Sequence, residues 1–251
     1  MSMNKLSYSL VVMVALTIVA CAEQQMESYN IQGSSSVSVL DGSKIYLKVM
    51  MNDGPKDIDS CEVVHGSFGF AGKLDTIRLA MLSVADGGMP IVMEKGDILV
   101  SIDKTGHKVS GSPMNDMLYE YLDKLIQLQN ERGELGHKQI QMLLEGVDEQ
   151  TIASKLSVEE NVLLAKIDSL ETRFILDNLD NVLGPCAFQI LTSNMPYPML
   201  TPQIEEIMGK ASEKFKNDTY VKEYYGKAKE ILSRMKGEID DSSAVGAAEA
   251  K

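Results

Sequence analysis

The sequence has little of what several common functions require. Its 251 residues include no tryptophan and only three cysteines, and its formal charge is −12 at pH 7. Such an acidic surface repels the phosphates of nucleic acids and the head groups of anionic lipids. Nucleic acid is therefore not expected as a partner.

A Cys-x-x-Cys pair is also missing. Gly184-Pro185-Cys186 matches the second half of a redox motif, but Leu183 stands where the first thiol would be. A dithiol exchanger needs a second thiol to resolve its mixed disulfide, so no redox role is expected for Cys186. Cys61 and Cys186 could pair in an oxidising compartment. Their placement in different halves of the chain favours two buried free thiols instead.

No other group of residues forms a convincing catalytic or metal site, so we predict neither a cofactor nor an enzyme. The three histidines are scattered singly, and the neighbouring carboxylates are typical of solvated faces. The serine-rich segment lacks the lysine of a phosphate loop and is predicted to connect two strands. The residues considered are His65, His107, His137, Asp59 with Glu62, Glu159 with Glu160, and 33–36.

Residues 1–20 are typical of the signal peptide of an exported protein. Lys5 precedes an apolar run, Leu6–Ala20, of about fifteen residues, which is short of the roughly twenty that a membrane-spanning helix needs. The run ends in Ile18-Val19-Ala20-Cys21, which resembles the bacterial lipobox. The resemblance implies cleavage before Cys21, a diacylglycerol on its sulfur, and acylation of the new amine by a fatty acid such as palmitate. Cys21 is the one site residue that we predict.

The residues after Cys21 predict where the anchor lies. Position 22 is alanine rather than aspartate, which by the sorting rule of bacterial lipoproteins favours the outer membrane. Surface-export signals are rich in acidic residues just after the cysteine, and here only Glu23 is acidic. We therefore expect a lipid-anchored protein that faces the periplasm, with the cell surface as the alternative.

An antiparallel β domain is predicted over residues 29–111, after a linker over 21–28. The hydrophobic pattern has a period of two, and turn residues recur every eight to twelve positions, which is typical of a sandwich or barrel of about eight strands. The stripes predicted to share a face are Ile45, Leu47 and Val49; Phe68 and Phe70; Ile77, Leu79 and Met81; and Ile98, Val100 and Ile102.

An all-α segment is predicted over residues 112–238, which makes the fold α+β, with a disordered tail over 239–251. Ser112 and Pro113 suit the N-cap and first position of a helix, which Gly133 and Gly136 are expected to weaken or end. A second helical stretch, about 149–183, could be divided by a capping box at Ser157 and Glu160 and stopped by Gly184-Pro185. Further helices are predicted over 186–194, over 203–211 after a Thr201 cap and Pro202, and over 219–236 with Val221, Tyr224, Ala228, Ile231 and Met235 buried.

Several short glycine-based motifs occur in a familiar order. They are Tyr29–Gly33, Gly42–Leu47, Asp59-Ser60, Gly66–Gly72, Glu94–Gly96, and Val109–Ser112 with Asn115. Together they resemble the domain of unknown function 4369, a small β domain of lipoproteins mostly from Bacteroidota. In many members this domain and a helical segment precede a thioredoxin-like domain of the thiol-disulfide oxidoreductase type. The resemblance covers about Tyr29 to Lys236, and the thioredoxin-like part is absent from this sequence.

Three functions follow as hypotheses. The first is a membrane-anchored envelope lipoprotein that binds a protein, peptide or small ligand without catalysis. The second, by analogy with the family, is an accessory that docks a thiol-disulfide oxidoreductase without a Cys-x-x-Cys of its own. The third is a hydrolase whose residues are assembled only by folding. An apolar groove between the two halves with a few convergent polar groups would favour binding.

Overall fold

The computed structural model describes residues 27–51, 54–84 and 87–248. Within these ranges eight strands form two four-stranded sheets, and six helices follow them, so the predicted α+β fold is confirmed. Cys21, the predicted signal peptide and most of the predicted linker lie outside the described residues.

The strands are β1 (Glu27–Ser35), β2 (Lys44–Met51), β3 (Gly54–Glu62), β4 (Ser67–Leu74), β5 (Arg78–Val84), β6 (Gly87–Met93), β7 (Gly96–Ile102) and β8 (His107–Ser110). The helices are α1 (Pro113–Leu144), α2 (Glu149–Asp177), α3 (Leu183–Ser193), α4 (Pro202–Lys210), α5 (Glu213–Lys216) and α6 (Thr219–Ala248). A single 3₁₀ turn, Ser38–Leu40, joins β1 to β2 among the described residues.

The two sheets are open and face each other. Their strand orders are β4-β1-β7-β8 and β3-β2-β5-β6, so the sandwich alternative is right and a closed barrel is not. Neighbouring strands run antiparallel, except that β1 and β7 are parallel. That parallel pair departs from the purely antiparallel domain that the sequence predicted. It joins strands that are far apart in the chain, and a local hydrophobic pattern does not indicate which distant strands will pair.

Most predicted stripes form the core between the sheets. The stripes in β2, β4 and β7 are buried, including Ile45 and Leu47, which have no exposed surface. The stripe predicted for β5 is wrong, because Ile77 and Met81 are 38% and 40% exposed while Ala80 and Leu82 are buried. Both faces of β5 are apolar, and alternation alone does not say which one turns inward.

The serine-rich segment is a strand and not the predicted connection. Gly33–Ser35 belong to β1, where Gly33 pairs with Phe68 of β4. A Cβ atom at position 33 would lie 2.1 Å from the Phe68 ring. Glycine is therefore required here because the aromatic ring lies over the backbone of the neighbouring strand.

Neither of the breaks considered for the two long helices occurs. Helix α1 continues through Gly133 and Gly136 to Leu144. Helix α2 is continuous, with its N-cap at Asp148 and Ser157 in its interior. The two helices pack against each other, and ion pairs link Lys138 to Glu159 at 2.6 Å and Arg132 to Glu160 at 3.1 Å. Such packing offsets the cost of about 1 kcal/mol that each interior glycine imposes on a helix.

Gly184-Pro185 begins a helix instead of ending one. Helix α2 ends at Asp177, and both residues lie in the first turn of α3. Proline is tolerated there because the first backbone N–H groups of a helix have no intrahelical acceptor. The short helix α4 is close to prediction, since Pro202 is at its start and the Thr201 hydroxyl accepts a hydrogen bond from Ile204 N at 3.2 Å.

The last helix is longer than expected. Helix α6 begins at Thr219 as predicted but continues to Ala248, through most of the segment predicted as a tail. Alanine, which recurs near its end, is the residue that favours helix most strongly. Val221, Tyr224 and Ala228 are buried as predicted, whereas Ile231 is half-buried and Met235 is 49% exposed.

Candidate functional site

The two described cysteines are not placed for redox chemistry. Cys186 is 3% exposed in α3, and burial raises the pKa of its thiol to about 12. Cys61 is half-buried in β3, and burial raises the pKa of its thiol as well. Both thiols are free in the structure. Since the thiolate is the reactive form, neither environment activates a nucleophile.

The histidines and paired carboxylates do not converge. His65 lies in a turn with φ of 49°, His107 packs edge-on against Tyr119, and His137 is exposed beside Glu134. Within the described ranges, no three His, Cys, Asp or Glu side chains are grouped as a metal site would require. Glu159 and Glu160 are taken up in the ion pairs between α1 and α2, and Asp59 and Glu62 lie on the exposed strand β3. The paired carboxylates are therefore close in sequence because they share solvent-exposed faces of the protein.

The first turn of α1 is joined to strand β6 by buried polar groups. The Asn115 side chain accepts a hydrogen bond from Val92 N at 2.8 Å and donates one to Val92 O at 2.7 Å. The Glu94 carboxylate accepts from Met114 N at 2.8 Å and Asn115 N at 3.1 Å, at the positive end of the helix dipole. Ser112 accepts from Asn115 instead of capping the helix with its side chain.

This junction explains part of the sequence resemblance. Glu94, Ser112 and Asn115 belong to the quoted motifs, and all three are at most 5% exposed. Their hydrogen bonds go to backbone groups and to one another. These motif residues therefore hold the helical half on the β half, and sequence reasoning assigned them no such role.

A cleft of about 270 Å³ lies between the second sheet and the helices. We call it the sheet–helix cleft. Its apolar lining comes from β2, the start of β5 and the start of α3, and consists of Met50, Ile77, Leu79, Val182 and Pro185. Cys186 also contributes to the wall. Ile77 and Leu79, which belong to the stripe that was predicted to be buried in the core, thus line part of the cleft.

The polar groups at this cleft are held by the fold. Asp218 accepts from Tyr220 N at 3.0 Å and from Val221 N at 3.2 Å, which caps α6. The Tyr220 hydroxyl lies 2.8 Å from Thr192 Oγ1, and Arg78 pairs with Asp75. Arg78, Asp218 and Tyr220 all line the cleft, together with Gln189 and Thr219. The cleft therefore combines apolar walls with positioned polar groups.

A second, larger groove of about 740 Å³ lies between the distal halves of α1 and α2. Gly133 and Gly136 line it on one side and Ile152 and Leu156 on the other, with Arg132 and Glu160 across it. The groove brings together none of the catalytic candidates, apart from Glu160, which is already paired.

Apart from the cleft and the groove, a cluster of buried polar groups lies where α1, α2 and α4 meet. Glu171 is 7% exposed, and the Gln203 amide donates to its carboxylate at 3.3 Å. Burial raises the pKa of Glu171 to about 7; the Gln203 hydrogen bond lowers it in part and the Asp168 charge raises it. A signal for this residue is present in the sequence and was not used: Glu171 follows Ile167 by four residues and precedes Phe174 by three, which places it on the apolar face of its helix.

The fold is an open two-sheet β sandwich whose last strand leads into a helical half, and the first helix of that half contacts both sheets. Residues 29–118 match the family model described as "Domain of unknown function (DUF4369)", which confirms for this segment the resemblance that the motifs predicted. The match ends at Leu118, one turn into α1 and just after the Glu94–Asn115 junction. Comparisons with curated proteins and with solved structures give no match.

Across the described ranges, no helix is both long enough and apolar enough to cross a bilayer.

Proposed function

We propose that this chain is a lipid-anchored envelope protein that acts as a non-catalytic binding module, with the sheet–helix cleft as its binding site. The anchor rests on the lipobox-like segment that ends at Cys21. The binding site rests on one observation: five apolar side chains and a set of fixed polar groups converge at the boundary of the two halves. Ligand sites are commonly of this composition.

The size of the cleft limits its ligand. Its volume of about 270 Å³ is slightly below the range that is usual for small-molecule sites. It suits a small apolar molecule or one or two apolar side chains of an extended peptide. Met50, which is 68% exposed at the rim, is flexible and polarizable and can adapt to more than one such group.

The binding proposal can be tested with a tryptophan introduced at the cleft, because the natural sequence has none. Met50→Trp places the reporter on the lining, and Met81→Trp places it on the same sheet but outside the lining. A panel of short peptides with one or two large apolar residues should shift the emission of Met50→Trp only. Equal shifts in both variants, or none in Met50→Trp, would contradict a binding site at this cleft.

The anchor proposal is tested separately by growth with labelled palmitate and by membrane fractionation. The wild-type protein and the Cys61→Ser control should carry label and sediment with outer membranes. Cys21→Ser should carry no label and keep its first twenty residues. A Cys21→Ser protein that is still labelled and processed would refute the anchor. Protease treatment of intact cells would distinguish the periplasmic face from the cell surface.

The second hypothesis, docking of a thiol-disulfide oxidoreductase, makes a different prediction. Deleting the gene should change the thiol labelling of other envelope proteins. We expect no change, because a binding module that acts through the sheet–helix cleft has no need of an oxidoreductase partner. A reproducible change would favour the accessory role over the cleft.

A further inference from the structure

The first described residue, Glu27, lies at one end of the β sandwich. It pairs with Leu74, the last residue of β4, and its carboxylate lies 3.2 Å from Lys95 Nζ in the turn between β6 and β7. We call the end marked by these three residues the anchor end. Cys21 precedes Glu27 by six residues, so their Cα atoms are no more than about 22 Å apart. A lipid on Cys21 would therefore be held close to the anchor end.

The sheet–helix cleft lies at the anchor end as well. Ile77 of its lining follows Leu74 by three residues, so the Cα atoms of Ile77 and Glu27 are no more than about 16 Å apart. Met50 lies near the end of β2, beside the start of β5. The Met50 and Ile77 side chains are 68% and 38% exposed. An apolar rim of the cleft is therefore exposed at the end of the fold that is nearest to Cys21.

The two long helices point away from the anchor end. Asn115 is hydrogen-bonded to Val92 and Tyr119 to Pro90, so α1 runs along β6 towards the start of that strand. The 32 residues of α1 span about 48 Å. Leu144, the last of them, is 85% exposed. The tip formed by α1 and α2 therefore lies at the opposite end of the molecule from the cleft.

The acidic charge of the protein is partly compensated at the anchor end. Glu27 is paired with Lys95 there, and Asp75 is paired with Arg78 at the cleft. Pairing with a cation weakens the repulsion between each carboxylate and an anionic head group. Exposed apolar side chains gain free energy when they leave water for hydrocarbon. The anchor end is therefore suited to contact with a membrane, in spite of the net charge of −12.

We propose that the sheet–helix cleft faces the membrane and takes the end of one fatty acyl chain of a membrane phospholipid. The inference rests on the proposed function, because the lipid on Cys21 must hold the anchor end at the bilayer. The short connection to Cys21 keeps the cleft at a high effective concentration of lipid, so that acyl chains compete well with soluble apolar ligands. The cleft volume of about 270 Å³ is slightly below that of sites for small molecules, so only part of a phospholipid can enter.

Tryptophan fluorescence of the full-length lipidated protein tests this inference. The protein is reconstituted in vesicles of phosphatidylethanolamine and phosphatidylglycerol that contain a phospholipid with a quenching spin label midway along one acyl chain. Met50→Trp should lose most of its emission in these vesicles. Lys95→Trp, at the anchor end but outside the cleft lining, should be quenched more by a label on the head group than by the label on the acyl chain. Leu144→Trp, at the opposite end, should be quenched by neither label.

Ile77→Trp places the reporter at another position of the lining and gives the same readout if Met50→Trp does not fold. Quenching of Met50→Trp by the acyl-chain label that is no stronger than that of Lys95→Trp would overturn the inference, because the cleft would then hold no acyl chain. Quenching of Leu144→Trp would contradict the orientation. Absence of the protein from the vesicles would refute the anchor and this inference together, whereas an anchored protein with unquenched Met50→Trp would overturn this inference alone.

Discussion

The side chain of Asn115 pairs with the backbone of Val92 much as a neighbouring strand would, with its Oδ1 2.8 Å from Val92 N and its Nδ2 2.7 Å from Val92 O. Strand β6 is at the edge of its sheet, and an exposed edge invites association with other chains. Tyr119 adds a hydrogen bond from its hydroxyl to Pro90 O at 3.0 Å. The first helix therefore covers this edge of the sandwich.

Replacing Asn115 with leucine should destabilise the protein by about 2–4 kcal/mol, because two buried backbone groups of Val92 lose their partners. The free energy of unfolding in urea measures this. Asn130→Leu, at an exposed position of the same helix, should change the value by no more than about 0.5 kcal/mol. Similar small effects in both variants would show that the pairing adds little.

The stability of the protein should depend more on the hydrogen-bond acceptor at position 94 than on the negative charge of Glu94. Glu94→Gln keeps an oxygen that can accept from Met114 N and Asn115 N, and should cost about 1 kcal/mol at pH 7. Glu94→Leu removes the acceptor and should cost about 2–3 kcal/mol. Equal losses in the two variants would mean that the negative charge is what matters.

Two glycines in short helices should respond to alanine in opposite directions. A Cβ atom at position 184 would lie 2.4 Å from Asn178 O, so Gly184→Ala should cost about 1–3 kcal/mol through a forced backbone shift. At Gly209 nothing lies within 4 Å, and Gly209→Ala should stabilise the protein by up to about 1 kcal/mol. Thermal unfolding measures both. A neutral Gly184→Ala would show that the start of α3 can move away from Asn178.

The two described thiols should differ in reactivity. In a Cys21→Ser background, a thiol reagent at pH 8 should modify half-buried Cys61 before Cys186. Cys186 is 3% exposed, and burial raises the pKa of its thiol to about 12, so the reactive thiolate is scarce at that pH. Cys186 should react fully only in denaturant. Rapid labelling of Cys186 in the native protein would show that the wall of the sheet–helix cleft opens readily.

Local patterns were reliable where one face of an element is clearly apolar or where a cap is formed by neighbours in sequence. The alternation in β2 placed Ile45 and Leu47 in the core, and Thr201 with Pro202 marked the start of α4. Patterns failed where both faces are apolar, as in β5, or where distant packing outweighs a local preference, as at Gly133 in α1. The cleft itself could not be predicted, since its lining comes from β2, β5, α3 and α6.

The sequence by itself determined the α+β order of the chain, the DUF4369 segment and the change from strand to helix at Ser112, because each is written in residues close together. Only the tertiary structure decided that β1 lies parallel to β7, that Asn115 covers the edge of β6, and that the Glu171 side chain is buried. Each of these depends on which distant segments meet, and the free energy of burial and pairing is fixed only when they do.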